Sequence, residues 1–244
     1  MCGGPWGKNQ LKPWRVAHWC TARVGADFVA RMEDVLALYA EAAARPDPAR
    51  PLVCFDERPL ALRADAHPGQ PCAPGPHGHP ARVDYEYVRQ GTACCLLSFA
   101  PFDGWRHVAV AARRANADFA QAMRHLADDC YPDAAVIRVV LDNLSTHTAA
   151  ALYQTFPPDE ARRLAAKLEF HYTPAHASWL NIAELELAVL VRQCLGRRLP
   201  TLEAVARETA AWEAGRNLAE AGVTWRFAVA DARIKLARLY PEIA

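Results

Sequence analysis

The chain has 244 residues, 52% hydrophobic and 23% charged, enough for a full core, which excludes global disorder. Its net charge of +1 excludes a uniformly basic nucleic-acid binder, so any such contact must come from local clusters. Met1 to Arg15 carries no apolar run typical of a signal peptide, and no uncharged stretch approaches membrane-spanning length, so no membrane partner is expected.

Met1 to Gln10 is Gly-rich and irregular, and a more ordered segment begins at Leu11-Lys12-Pro13-Trp14-Arg15. Ala26 to Ala44 reads as an amphipathic helix, with Phe28, Met32, Val35, Leu36 and Tyr39 at helical spacing. Asp27 suits its first turn, and Pro46-Asp47-Pro48 stops it. The main domain is expected to start there. Pro51 to Asp56 is a short apolar strand that ends in Asp56-Glu57-Arg58, with Leu60 to Arg63 as an extension. Residues 65–81 are crowded with Pro, Gly and His and read as a solvated loop. His67, His77 and His79 show no recurring ligand spacing, so a metal site there is not expected.

Asp84-Tyr85-Glu86-Tyr87 leads into a strand from Thr92 to Phe99. Asp103-Gly104 marks a tight turn, and His107 to Ala111 returns as a third strand. Asn116 caps a helix that reaches about Cys130. Val136 to Leu141 has five apolar residues in six, four of them β-branched, and reads as a buried, central, parallel strand ending on Asp142. A helix follows from Thr148 to Phe156, with Ser145 or Thr146 as its cap, then another from Asp159 to Leu168. Glu169 to Tyr172 is a short strand. Ser178 is expected to cap an apolar helix from Trp179 to Leu195, stopped by Gly196, and two helices over 201–217 and 229–239 form a tail. The eight cysteines contain no Cys-x-x-Cys pair, which gives little support to zinc and fits a reducing, cytoplasmic compartment.

Three antiparallel strands followed by right-handed crossovers predict an α/β fold. It is a ribonuclease H-like, mixed five-stranded sheet flanked by helices, with a small C-terminal helical tail. In that topology Asp56 and Asp142 meet at one sheet edge. The late helix brings a third carboxylate. Glu184 shares a face with Leu180, Leu187 and Val191, whereas Glu186 points to roughly the opposite side. A Glu on an apolar face is costly unless it is paired or binds metal, which favours Glu184 as a ligand. Three converging carboxylates call for divalent cations, Mg²⁺ or Mn²⁺, and two such ions serve phosphodiester displacement on nucleic acid.

The chain resembles the catalytic part of an insertion-sequence transposase of the six-thirty family, a mariner-related DDE endonuclease. The matching stretches are Cys54-Phe55-Asp56-Glu57-Arg58-Pro59, Asp84-Tyr85-Glu86-Tyr87, Leu141-Asp142-Asn143 with Thr146-His147, and Phe170-His171-Tyr172-Thr173-Pro174. The most specific is Ser178-Trp179-Leu180-Asn181-Ile182-Ala183-Glu184, and Trp225-Arg226-Phe227 with Asp231-Ala232-Arg233-Ile234-Lys235-Leu236 is also similar. The resemblance implies Asp56, Asp142 and Glu184 as a catalytic, metal-binding triad that holds two ions, with Asn143, His147, Trp179 and Asn181 in support. It implies double-stranded DNA as partner, both element ends and target, and a homodimer on that DNA. Residues 1–50 are then a linker and helix left from a DNA-binding region, 51–196 the catalytic domain, and 197–244 the helical extension. The family usually opens with a long helix-turn-helix region. Only a short Gly-rich start precedes Leu11 here, so that region is expected to be truncated or separately encoded.

Two rival readings stand beside this one: another ribonuclease H-fold nuclease, and a non-enzymatic remnant that binds DNA. His147 reads equally as a phosphate or metal-water donor and as a helix-start residue bonded to the strand-end loop. Trp179 reads as packing under the sheet. The pairs Arg113-Arg114, Arg162-Arg163 and Arg197-Arg198 read as solvated faces.

Overall fold

The structure is a computed structural model and describes residues 25–241. The expectations for the segment before Gly25, including the Gly-rich start and Leu11 to Arg15, lie outside the described residues. The elements run in this order: α1 (Ala26–Ala44), β1 (Leu52–Asp65), β2 (Tyr87–Ala100), β3 (Trp105–Ala111), α2 (Asn116–His125), β4 (Ile137–Leu141), α3 (Ala149–Thr155), α4 (Pro158–Lys167), β5 (Leu168–Tyr172), α5 (Ala183–Leu190), α6 (Leu202–Leu218) and α7 (Val229–Lys235). The five strands form one mixed sheet in the order β3-β2-β1-β4-β5. β1, β2 and β3 pair antiparallel, and β4 and β5 add in parallel through helical crossovers. This is the ribonuclease H-like sheet.

Side chains on a strand alternate between faces, and that alternation splits the core in two. Cys54, Leu97, Phe99 and Val140 point to the side covered by α1, α5 and α6. Val53, Phe55, Leu96, Val139 and Leu141 point to the side covered by α2, α3 and α4. Every residue of β4 is buried, so its apolar run is explained by cover on both faces. Helix α1 seats Met32, Val35, Leu36 and Tyr39 in the first core, and the Tyr39 hydroxyl donates to the Leu180 carbonyl at 2.7 Å. Residues on both sides of the main strands, in α1 and in α6, therefore share one core with the sheet.

Several elements differ from the sequence expectation. β1 runs through the expected extension as one strand to Asp65, and β2 starts at Tyr87, five residues earlier than expected, to pair with it. A bulge at Leu62/Arg63 opposite Gly91, whose φ is +125°, absorbs the twist of this long ribbon. α2 ends at His125 and passes into a π-helical turn over Leu126–Cys130. Neither Ser145 nor Thr146 caps α3, whose N-cap is Thr148. The largest difference lies near Ser178. Ser178–Leu180 is a single 3₁₀ turn, and α5 starts only at Ala183. Asn181 interrupts the two: its Oδ1 accepts from the Ala183 N–H at 3.1 Å, a side-chain competition with helix typical of Asn. α5 then widens into a π-helical turn over Val191–Leu195. No described helix is long and apolar enough to cross a membrane.

Candidate active site

The parallel register pairs Leu52 with Arg138, Val53 with Val139 and Cys54 with Val140. Carried two residues further, it sets Asp56 level with Asp142, one strand apart, or roughly 4.8 Å between backbones. Alternation puts Asp56 on the face of Cys54, the face of α5, while Asp142, one residue past β4, lies at the strand end with its Oδ1 on His147. Asp56 and Glu184 line one open cleft with Glu57, Arg58, Leu187, Ala188, Val191 and Arg192, of about 480 Å³. Glu184 thus shares its cleft-facing side with Leu187 and Val191.

Glu184 does not sit on the dry apolar face that its helical spacing predicts. Glu184 is exposed, and Glu186 is the buried one. Its cost is met by two arginines: Arg216 binds both oxygens, at 2.6 and 2.9 Å, and the fully buried Arg106 lies 2.9 Å away through Nε. Glu186 is therefore committed to pairing α5 with β3 and α6. Glu184 has no such partner, and among the described residues neither Asp56 nor Glu184 forms an ion pair.

Electrostatics separate the two aspartates. Burial pushes Asp56 up to about 7; the Glu57 N–H at 2.7 Å works against this, while Asp142, Glu57 and Glu184 add to it. Asp142 moves the other way. The hydrogen bond from His147 holds it below the usual carboxylate range, against some burial, with help from the His147 charge, the Leu144 N–H and Arg114. A set of carboxylate oxygens in which one acid resists ionisation beside the others suits a hard divalent cation. Among the described residues, the set of three possible ligands drawn within 4.8 Å of one another is instead His67, Asp84 and Glu86. There, His67 is already paired with Asp84 on an exposed surface. Asp56, Asp142 and Glu184 do not all lie within that distance of one another.

The remaining residues implied by the resemblance separate clearly. Asn181 is buried and donates Nδ2 to the Phe55 carbonyl at 2.9 Å, so it ties the start of α5 to β1 one residue before Asp56. His147 is 1% exposed and sits on the other face of β1, edge-on to Phe55. Its Nδ1 lies 2.6 Å from Asp142 Oδ1, and its Nε2 lies 2.8 Å from Glu57 Oε2. Burial would lower the imidazole pKa, but the bonds to Asp142 and Glu57 outweigh it and raise it to about 9. Asn143 is exposed on the loop after β4. Trp179 does not pack under the sheet. It is 44% exposed and meets Phe227 edge-on at 5.7 Å, because the 3₁₀ turn that carries it lies outside the helix.

Sequence reasoning missed Glu57 as a site residue. Its side chain is 3% exposed and faces His147, with Arg114 Nε 3.5 Å from its other oxygen. The signal was available: adjacent residues on a strand face opposite ways, so Asp56 and Glu57 cannot serve the same side. Arg114 is also not simply a solvated charge, although Arg163 pairs outward with Asp128 and Glu160, and Arg197 with Glu208.

With this geometry in place, comparison with known proteins decides the family. The model of the DDE superfamily endonuclease matches residues 51–206. The chain belongs to that family. No curated protein matches. Solved structures similar to the DDE endonuclease described here include a Mos1 transposase paired-end complex with left transposon end. It has a TM-score of 0.54 and 15% identity, over 96% of this chain and 68% of that one. A Mos1 mariner paired-end complex with Mn gives 0.51 and 16%, over 85% and 62%. The catalytic domain of Mos1 mariner transposase gives 0.51 and 13%, over 83% and 91%. At these identities the likeness shows the fold.

Proposed function

We propose that this DDE endonuclease is a transposase that cuts DNA at the ends of a mobile element and transfers the cut strand to a new site. The observation that carries the reading is the convergence of Asp56, Asp142 and Glu184 from β1, the end of β4 and the start of α5 on one side of the sheet edge. These three would hold Mg²⁺ or Mn²⁺, in the family pattern two ions. When bound, such ions activate the attacking oxygen and stabilise the leaving one in phosphodiester displacement.

The chain's own residues supply the rest. Asp142 stays ionised and ready to coordinate. Asp56 gives up its proton as a cation binds, since the two compete for the same oxygens. Asn181 keeps β1 and α5, and so Asp56 and Glu184, in fixed relation. Arg58 and Arg192 line the cleft and suit the phosphates of a DNA strand laid along it. Similar structures are described as paired-end complexes, one with a left transposon end and one with Mn, which supports DNA ends and a divalent cation as partners. Two copies of the chain on the DNA, with a helix-turn-helix region reading the end, complete the assembly.

The test is cleavage of end-labelled duplex DNA by the full chain with Mn²⁺. The expected result is strand cleavage that EDTA stops and that Asp142→Asn abolishes while its melting temperature stays within a few degrees of the parent. Cleavage by Asp142→Asn at the parent rate, or in EDTA, would contradict the reading.

A further inference from the structure

Asp142 lies one residue past β4, on a loop, where a carboxylate has rotamer freedom that a metal ligand cannot use. What restricts it is His147, whose Nδ1 takes Oδ1 at 2.6 Å. His147 is itself held from every side. Its ring is edge-on to Phe55 at 5.4 Å and tilted against Phe119 at 5.0 Å. Its backbone N–H reaches the Leu144 carbonyl at 3.0 Å, and its own carbonyl accepts from the Tyr172 hydroxyl at 2.8 Å. Glu57 Oε2 meets its far nitrogen at 2.8 Å.

Glu57 is the unexplained member. Its side chain is 3% exposed, and its oxygens meet His147 Nε2 at 2.8 Å and, less closely, Arg114 Nε at 3.5 Å. A buried acid is costly even when paired, and a merely structural position would be better filled by an apolar side chain. It alternates with Asp56 along β1, and its oxygens are taken up by His147 and Arg114.

We propose that Glu57 is a positioning residue: through His147 it fixes Asp142 so that Oδ1 is taken and only Oδ2 is offered to a divalent cation. This rests on the reading of Asp56, Asp142 and Glu184 as the metal site. The arrangement is a carboxylate–histidine pair placed one shell behind a ligand, and removing such a pair typically weakens metal affinity ten- to a hundredfold.

The experiment is calorimetric titration of the full chain with Mn²⁺ alone, which gives affinity and stoichiometry separately, with thermal melts in EDTA beside it. The parent chain binds Mn²⁺, and Asp142→Asn lowers the stoichiometry; failure of either sinks the metal site itself. Given both, Glu57→Gln is expected to weaken Mn²⁺ binding at least tenfold with the stoichiometry unchanged. His147→Asn, which keeps a donor for Asp142 but cannot reach Glu57, should weaken it similarly. Glu57→Gln added to His147→Asn should then change nothing further. An affinity within twofold of the parent for Glu57→Gln overturns the proposal, as does a lost ion or an equal further loss in the double variant. If Glu57→Gln does not fold, His147→Asn carries the test, and parent-like affinity there overturns it.

Discussion

Asp56 and Asp142 stand level on neighbouring strands, yet one is raised to about 7 and the other held low. Burial raises Asp56, with neighbouring carboxylates adding to it, whereas the hydrogen bond from His147 overrides the burial of Asp142. A carboxyl raised in the folded state binds its proton more tightly folded than unfolded, so ionising it destabilises the fold. That penalty is complete above about pH 7 and fades as the pH falls toward the ordinary value near 4. Asp56→Asn should therefore stabilise the metal-free protein at pH 8, by on the order of 2 kcal/mol after allowing for partial solvation, and by almost nothing at pH 4. Urea unfolding in EDTA at the two pH values checks this; equal effects at both would place the cause elsewhere than in ionisation. The two glutamates of α5 make a second pair of opposites. Glu184→Gln should remove Mn²⁺-dependent cleavage and leave stability within about 0.5 kcal/mol. Glu186→Gln should cost about 3 kcal/mol by leaving Arg106 and Arg216 poorly paired, while the folded protein keeps its metal affinity. Melting and titration of both variants separate the roles, and a dead but stable Glu186→Gln would reverse them. The helical spacing of Glu184 and Glu186 showed that they diverge. It could not show which side was dry, because the arginines that answer Glu186 come from residues 106 and 216.

At the scale of elements, β4 was legible because a run of β-branched residues between a turn and an Asp has few other uses. α5 was less so. Trp179 to Leu195 is apolar throughout, and local pattern alone reads one helix. Asn181 breaks it because its side chain is engaged at both ends, accepting from the Ala183 N–H and donating to the Phe55 carbonyl, the second partner lying 126 residues away. A bond to so distant a carbonyl leaves no local trace. The same bond explains why the break matters, since it sits one residue from Asp56 on one side and three from Glu184 on the other. Asn181→Ala should destabilise the protein by about 2 kcal/mol, from a buried carbonyl and a helix-start N–H left without partners. It should also weaken Mn²⁺ binding, which Asn181→Asp would only partly restore because Asp keeps the acceptor and loses the donor. Full stability with normal metal binding in Asn181→Ala would show that α5 is set by its apolar packing alone.

Across the whole molecule, the sheet divides the labour. One face, under α2, α3 and α4, holds Glu57 and His147 behind the site. The other, under α1, α5 and α6, presents Asp56 and Glu184 to the cleft. The tail is not loosely appended. Arg106, buried in β3, donates to the Asn217 side chain and the Ala221 carbonyl, and Arg216 of α6 holds Glu186 of α5. That coupling joins residues beyond Gly196 to the element that carries Glu184. The most direct measurement of where a cation sits is anomalous diffraction from a crystal of the full chain soaked in Mn²⁺. Manganese peaks are expected between Asp56, Asp142 and Glu184, with Asp142 bound through one oxygen and its other oxygen still on His147. Manganese bound only at His67, Asp84 and Glu86, with none in the cleft, would contradict that placement.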